Sequence, residues 1–128
     1  MNSCIFCNYI DDAIGTILFE SGHCRCIESS DEILPGRCIV IPKEHRETVF
    51  DLTPGEWGET MELAHRVKHY IDEKYRPDGY NLGWNSGRVA GQTVFHAHLH
   101  IIPRHSDEPL ADKGICYWYK QEENRRPE

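Results

Sequence analysis

The sequence predicts an α+β domain in which an antiparallel sheet of about five strands is covered on one face by one long helix. Two observations predict this class. Short segments rich in β-branched and aromatic residues alternate with Gly- and Pro-containing turns, and one long segment with helical periodicity lies between the third and the fourth of them. A chain of 128 residues can bury one hydrophobic core, so we expect a single domain over residues 1–128.

Three strands are expected before the helix. Residues 16–20 and 24–29 are separated by a turn centred on Gly22, which is the pattern of a β-hairpin. Residues 37–41 follow a Pro-Gly turn and contain a continuous apolar run. Such a run predicts a strand that is buried on both faces.

The helix is predicted to begin after Thr53. Pro54 would occupy the first helical position, and Glu56 would complete a capping box with Thr53. Apolar side chains at three-to-four spacing predict the face that packs on the sheet. These side chains are Trp57, Met61, Ala64, Val67 or Lys68, Ile71 and Tyr75.

The last two strands are predicted at residues 80–85 and 94–102, with a Gly-containing loop between them. Pro103 is expected to end the second strand, because proline cannot donate to a ladder. Alternating side chains share one face of a strand, with about 7 Å between them. One face would therefore present His96, His98 and His100, and the buried face would present Phe95, Ala97, Leu99 and Ile101.

Composition excludes several classes of function. The formal net charge of −7 disfavours nonspecific binding to nucleic acid. The sequence has no apolar run long enough to span a membrane and no signal-peptide pattern, so we expect no membrane partner and a cytoplasmic protein. Six cysteines in such a chain do not predict a disulfide framework. Cys24, Cys26 and Cys38 are predicted to be small buried hydrophobic residues.

Two of the remaining cysteines predict a metal site. Cys4 and Cys7 form a C-x-x-C pair, which has metal-ligand spacing. A closed tetrahedral zinc site needs two more ligands. His45 follows the end of a predicted strand and His96 is the first histidine of the row, so both could complete it. We therefore predict a structural zinc site formed by Cys4, Cys7, His45 and His96.

With His96 assigned to the metal site, His98 and His100 are the two alternating histidines that could take part in catalysis. An imidazole can attack phosphorus directly and form a phosphohistidine intermediate that water later hydrolyses. The attacking nitrogen must be neutral, and a backbone carbonyl that accepts from the other ring nitrogen would fix that tautomer. The turn formed by Gly91, Gln92 and Thr93 precedes the strand, and its amides and side chains could hold phosphate oxygens.

Residues 91–102 read Gly-Gln-Thr-Val-Phe-His-Ala-His-Leu-His-Ile-Ile, which resembles the motif of the histidine triad (HIT) family. Three further segments are similar to the same family. They are Cys-Ile-Phe-Cys at 4–7, Val-Ile-Pro-Lys-Glu-His at 40–45 and Asn-Ser-Gly-x-x-x-Gly-Gln at 85–92. The resemblance covers residues 3–105, and residues 106–128 form a C-terminal tail.

The resemblance implies an enzyme that binds nucleotides and hydrolyses or transfers the nucleoside monophosphate at its α-phosphorus. Substrates of this type include dinucleoside polyphosphates and nucleoside phosphoramidates. By position in the motif, His98 would be the nucleophile and His100 would contact the phosphate. Thr93 would lie near the leaving group after Gln92, and Asn85 would help to hold the loop beside the phosphate. In zinc-bearing members the ligands correspond to Cys4, Cys7, His45 and His96.

The resemblance also implies a homodimer whose two sheets join into one larger sheet. The aromatic run at residues 117–119 is then expected to pack near the partner's site, because so aromatic a cluster is rarely left in water. One feature departs from the family. The Hint-like branch carries an aspartate for the ribose hydroxyls on the second strand, whereas residues 28–31 here read Glu-Ser-Ser-Asp. No residue is therefore assigned to the ribose.

Two other functions compete with the nucleotide hydrolase or transferase. In a metal-dependent hydrolase, all three histidines would hold one ion, but a spacing of about 7 Å along a strand makes this difficult. In a nucleotide-binding adaptor, the activity would be vestigial, since folds of this type can also serve as interaction modules. Turnover through a covalent His98 adduct would distinguish the first function from both others.

Overall fold

The computed structural model describes residues 4–8 and 14–127. Five strands form one antiparallel sheet in the order β1-β2-β3-β5-β4. The strands are β1 (Gly15–Glu20), β2 (Cys24–Ser29), β3 (Cys38–Pro42), β4 (Gly79–Gly83) and β5 (Leu99–Arg104), and the helices are α1 (Pro54–Tyr75) and α2 (Ile115–Tyr119). Short 3-10 turns cover Val49–Asp51, Arg88–Ala90 and Glu122–Asn124. The predicted α+β fold, with five strands and one long helix, is confirmed.

The main core lies between α1 and the sheet. Every residue of β3 is buried, as its apolar run predicts. Cys24, Cys26 and Cys38 are fully buried, which confirms their prediction as small hydrophobic residues. The core side chains from the strands and the helix are Cys24, Cys26, Cys38, Val40, Leu99, Ile101, Leu63, Ala64, Val67 and Ile71.

The capping box of α1 is present. The Thr53 hydroxyl accepts a hydrogen bond from the Glu56 amide at 3.1 Å, and the Glu56 carboxylate accepts one from the Thr53 amide at 2.8 Å. The predicted buried stripe is partly wrong, because Trp57 and Met61 are 44% and 51% exposed. Glu56 and Thr60 are buried instead, and the Thr60 hydroxyl donates a hydrogen bond to the Glu56 carbonyl at 2.7 Å.

Glu56 links the start of α1 to the loop after β3. Its carboxylate accepts from Arg46 Nε at 3.1 Å. Burial alone would raise the pKa of Glu56, but the hydrogen bonds from Arg46 and Thr53 lower this pKa below its usual value. The carboxylate is thus ionised at neutral pH. The carbonyl of Arg46 in turn accepts from the Ala97 amide at 2.7 Å.

That contact explains why the fifth strand begins later than predicted. The ladder starts at Leu99 rather than Val94, because the Ala97 amide is engaged by the Arg46 carbonyl instead of a neighbouring strand. Pro103 lies inside β5 and does not end it, which also corrects the prediction. It lies beyond Ile101, the last residue of β5 that pairs with β3, so only β4 adjoins it.

The C-terminal tail folds back toward the edge strand β4. Ile115 Cδ1 lies 3.6 Å from the position that a Cβ on Gly83 would take. Trp118 and Tyr119 in α2 are 62% and 58% exposed, so their packing near a partner's site stays a prediction. Among the described residues, no helix has both the length and the apolar character needed to cross a membrane.

Candidate functional site

Four side chains predicted as metal ligands come together beside the end of β3. The ligand atoms of Cys4, Cys7, His45 and His96 all lie within 4.8 Å of one another. Cys7 Sγ is 3.2 Å from His45 Nδ1 and 3.4 Å from His96 Nδ1, and Cys4 Sγ is 3.4 Å from His96 Nδ1. Two thiols and two imidazoles at these distances could hold a metal ion.

The tautomer of His96 is fixed from the opposite side of its ring. His96 is fully buried, and its Nε2 donates to the carbonyl of Pro42 at 2.8 Å. Nδ1 therefore carries the lone pair and points at the two thiols. A backbone carbonyl that holds the second nitrogen of a histidine is the usual support of a metal ligand. The last residue of β3 thus orients this side chain.

His98 does not belong to the metal-ligand cluster. Its Nδ1 donates to the carbonyl of His96 at 2.8 Å, which leaves Nε2 with the lone pair. The side chain is buried, and this burial lowers the pKa of His98, although the bond to the His96 carbonyl opposes the shift. Its imidazole is consequently neutral at neutral pH. The Phe6 ring lies edge-on to it, with a centroid distance of 5.1 Å.

His100 is the one histidine of the row that lies within the ladder. Its ring centroid is 4.7 Å from that of His98, closer than the strand repeat of about 7 Å because the two rings tilt toward each other. The pKa of His100 is lowered to about 4, mainly because the side chain is buried, and repulsion from a protonated His98 and from Arg37 contributes to the same shift. Its Nε2 is buried and has no hydrogen-bond partner among the residues that the structure describes.

His98 and His100 line a cavity of about 270 Å³, which we call the histidine cavity. Its apolar lining includes Phe6, Ile27 and Ile39. Its polar lining consists of Ser29, Arg37, Thr93, His98 and His100. An apolar wall beside a few convergent polar groups is typical of a small-molecule site.

A second cavity, of about 350 Å³, lies on the β4 side of His100, and we call it the β4 cavity. Asn85 and Trp84 line it together with the tail residue Ile115. Arg37 and His100 line both cavities and so form the wall between them.

The loop before the histidines is held by Gln92. Its side chain is 2% exposed, accepts from the Gly87 amide at 2.8 Å and donates to the Glu47 carbonyl at 2.7 Å. The side chain that was expected to hold phosphate is therefore occupied with the loop itself. Gly91 has a φ of 99°, and a Cβ there would lie 3.7 Å from the Asn85 amide. Asn85 thus lies directly beside the turn.

The structure separates the predicted residues into two groups. Cys4, Cys7, His45 and His96 form the cluster, while His98, His100 and Thr93 share the histidine cavity. Asn85 lies across the wall in the β4 cavity. Sequence reasoning missed Arg37, Ser29 and Phe6. Alternation places Arg37 on the same face as Ile39, but its position near His100 depends on the pairing of Ile39 with His100, which only the structure shows.

The fold and site define an α+β protein with three alternating histidines that lead into and enter strand β5 of an antiparallel sheet. Residues 12–107 match the sequence model of the HIT domain, so the chain belongs to the HIT family. The resemblance seen in the sequence is thereby confirmed.

Three curated relatives illustrate the family. The chain is 31% identical over 127 residues to Protein hit of Bacillus subtilis, covering 98% of this chain and 86% of that protein. It is 33% identical over 104 residues to adenylylsulfatase HINT3 of Arabidopsis thaliana, and 40% identical over 72 residues to bis(5'-adenosyl)-triphosphatase of Dictyostelium discoideum. The matches cover 80% and 56% of this chain, but only 53% and 48% of those proteins. The family therefore includes nucleotide hydrolases.

Solved structures share the fold. A HIT family protein from Bacillus anthracis has a TM-score of 0.75 at 36% identity, over 83% of this chain and 76% of that chain. A Zn-bound histidine triad family protein from Mycobacterium smegmatis has a TM-score of 0.73 at 31% identity, over 86% of this chain and 81% of that chain.

Proposed function

We propose that this chain is a nucleotide hydrolase or transferase that cleaves at the α-phosphate of a nucleoside phosphate ester, anhydride or phosphoramidate. The observation that carries the proposal is the hydrogen bond of 2.8 Å from His98 Nδ1 to the His96 carbonyl. It keeps Nε2 unprotonated, and a neutral ring nitrogen in a cavity is what an attack on phosphorus needs.

The reaction divides into two displacements at phosphorus. In the first, the Nε2 lone pair of His98 forms a bond to the α-phosphorus, and the leaving group departs with the electrons of the bond that breaks. In the second, water attacks the nucleotidyl-histidine, and the ring nitrogen regains its lone pair. Hydrolysis results when water is the acceptor, and transfer results when another nucleophile takes its place.

The residues around His98 have distinct roles in this proposal. His100 and Thr93 line the same cavity and would contact phosphate oxygens, while Gly91 and Asn85 would shape the adjoining turn. Gln92 acts as a positioning residue, because its side chain is bound to the loop backbone. The apolar wall of the histidine cavity would accept the base.

We further propose that Cys4, Cys7, His45 and His96 hold a structural zinc ion. Zn–S bonds of about 2.3 Å and Zn–N bonds of about 2.0 Å in a tetrahedron place sulfur and nitrogen ligands about 3.5 Å apart. The S···N distances of 3.2 and 3.4 Å are close to this value. Bound there, zinc would connect the N-terminal segment to the loop after β3. The arrangement disfavours a metal-dependent hydrolase in which all three histidines hold one ion, because His96 directs Nδ1 at Cys4 and Cys7 and its Nε2 is bound to the Pro42 carbonyl.

The experiment for the proposed activity is a substrate panel followed by phosphorus-31 NMR. The panel contains adenosine phosphoramidate, diadenosine tetraphosphate, a dinucleoside triphosphate and adenylyl sulfate. We expect at least one substrate to release AMP at a rate that depends on His98. AMP binding without turnover of any member would instead favour a nucleotide-binding adaptor.

We also propose that two chains form a dimer through the open edge of the sheet. β4 is an edge strand, and its Leu82 is 42% exposed and lines a shallow cavity together with Met61 of α1. Trp57 of α1 is also exposed and packs against Trp84, which follows β4. An apolar edge strand that is exposed to water tends to pair with the edge strand of another chain. Light scattering should give twice the chain mass of 14.9 kDa.

Met61→Glu should shift the dimer toward the monomer, because it places a charge within this apolar area. His69→Glu, on an exposed part of α1, serves as the matched control and should leave the dimer intact. A monomeric wild-type protein at micromolar concentration would contradict the proposed assembly.

A further inference from the structure

Arg37 lies on the cavity face of the sheet. It directly precedes β3, and its carbonyl accepts from the Ser29 amide at 2.8 Å, which extends the pairing between β2 and β3. Side chains alternate along an extended chain, so Arg37 shares its face with Ile39. Ile39 pairs with His100 across the sheet, and the Arg37 side chain is therefore one step along the sheet from that histidine.

The positive charge of Arg37 lies in the lining of both cavities. Within the described part of the chain, it is the one residue with a permanent charge that lines either the histidine cavity or the β4 cavity. Among the residues that the structure describes, no carboxylate lines either cavity, and the nearest one to Arg37 is that of Asp31, 3.4 Å from its Nε. The whole chain carries a formal charge of −7, so a positive wall between two cavities is opposite in sign to the rest of the molecule. Such a local field favours an anionic ligand.

The hydrogen bonding at this wall is incomplete. Arg37 Nη2 donates to the Ser29 hydroxyl at 3.1 Å, but Arg37 Nε is buried without a hydrogen-bond partner. Asp31 Oδ2 is 3.4 Å from Nε, near enough for an ion pair but not aligned as an acceptor. His100 Nε2 is the other such atom among the described side chains. Buried polar groups normally have partners, so two unpartnered ones on one wall indicate a polar ligand.

We propose that Arg37 is a specificity residue that binds a second phosphate of the nucleotide, distinct from the phosphate that His98 attacks. This inference rests on the proposed function. A guanidinium presents several N–H donors in a planar fork that matches phosphate oxygens, and it can donate to two of them at once. The second phosphate can belong either to the sugar or to the leaving group.

Calorimetric binding of three nucleotides tests this role and requires no turnover. AMP carries one phosphate, adenosine 3',5'-bisphosphate adds a phosphate on the sugar, and ADP adds one on the leaving-group side. We expect one of the two to bind about ten- to a hundredfold more tightly than AMP, which is the usual effect of a charged hydrogen-bonded contact. The nucleotide that gains affinity identifies the source of the phosphate.

The variant Arg37→Gln should reduce that preference to within about threefold, because the amide keeps polarity but loses the charge and the fork. Arg37→Lys keeps the charge and should retain part of the preference. The matched control is Arg66→Gln, which makes the same change in net charge on exposed α1 and should leave the preference intact. Thermal unfolding of each variant verifies that it is folded.

Two results would overturn the inference, and they are distinguishable from each other. If AMP binds but neither second phosphate improves its affinity, or if Arg37→Gln preserves the preference, the role of Arg37 is wrong and the proposed function stands. If none of the three nucleotides binds the wild-type protein, the proposed function fails and this inference fails with it.

Discussion

Replacing His98 by asparagine is expected to reduce turnover at least about a thousandfold while nucleotide affinity stays within about tenfold of the original. Asparagine is similar in size and can still donate to the His96 carbonyl, but it has no ring nitrogen that can attack phosphorus. The proposed phosphate contacts from Thr93 and His100 would remain. Single-turnover kinetics and AMP binding, measured on the same preparation, check both parts of this prediction.

Two further variants make the prediction specific to His98. His100→Asn should lower activity less completely, because this side chain would stabilise the phosphate without forming a covalent bond. His65→Asn, on the exposed surface of α1, should leave turnover unchanged. Turnover by His98→Asn at a rate near that of the wild type would show that another group attacks the phosphorus.

Removing the two cysteine ligands is expected to cost stability more than catalysis. Freshly purified protein should contain about one zinc ion per chain, and Cys4→Ser with Cys7→Ser should contain almost none. Loss of a structural metal should lower the free energy of unfolding by about 3 kcal/mol and the melting temperature by about 10 °C. Elemental analysis and thermal unfolding measure the two effects.

Cys116→Ser is the matched control for the metal site. Cys116 is an exposed cysteine in α2 and does not belong to the cluster, so its replacement should change neither zinc content nor stability. Zinc-free protein obtained without a chelator, with the stability of the wild type, would show that the cluster has no structural metal.

The sequence alone predicted the elements whose signals are local. The Thr53–Glu56 capping box and the hairpin of β1 and β2 depend on neighbouring residues, and both formed as predicted. The clustering of Cys4, Cys7, His45 and His96 was also predicted, because a C-x-x-C pair needs two further ligands for a tetrahedral site and these two histidines lie at predicted strand ends.

Other features depend on contacts between distant segments. The start of β5 depends on the Ala97 amide bonding to Arg46, which is itself fixed by Glu56. The hydrogen bond from Arg46 to the Glu56 carboxylate also stabilises Glu56 in a buried position. The buried face of α1 therefore includes a charged residue and differs from the face that the apolar pattern predicts. The hydrophobic periodicity of the sequence predicts neither the Ala97–Arg46 bond nor the Arg46–Glu56 bond, because a charged residue in such a pattern is assigned to the exposed face.

Arg37 was missed for a similar reason. In the sequence it stands at the end of a turn, where an arginine is usually solvated. Its role depends on the register that pairs Ile39 with His100 and Ser29 with Arg37. Only that register places the guanidinium in the wall between the two cavities.

The most direct test of nucleophilic catalysis by His98 is the detection of a covalent intermediate. Enzyme mixed with a substrate that it turns over is quenched within one turnover and digested under conditions that preserve the phosphorus–nitrogen bond. Mass spectrometry should find a peptide that carries one nucleoside monophosphate on His98, and the same peptide from His98→Asn should be unmodified. Turnover without any adduct, or with the nucleotide on another residue, would contradict catalysis by His98.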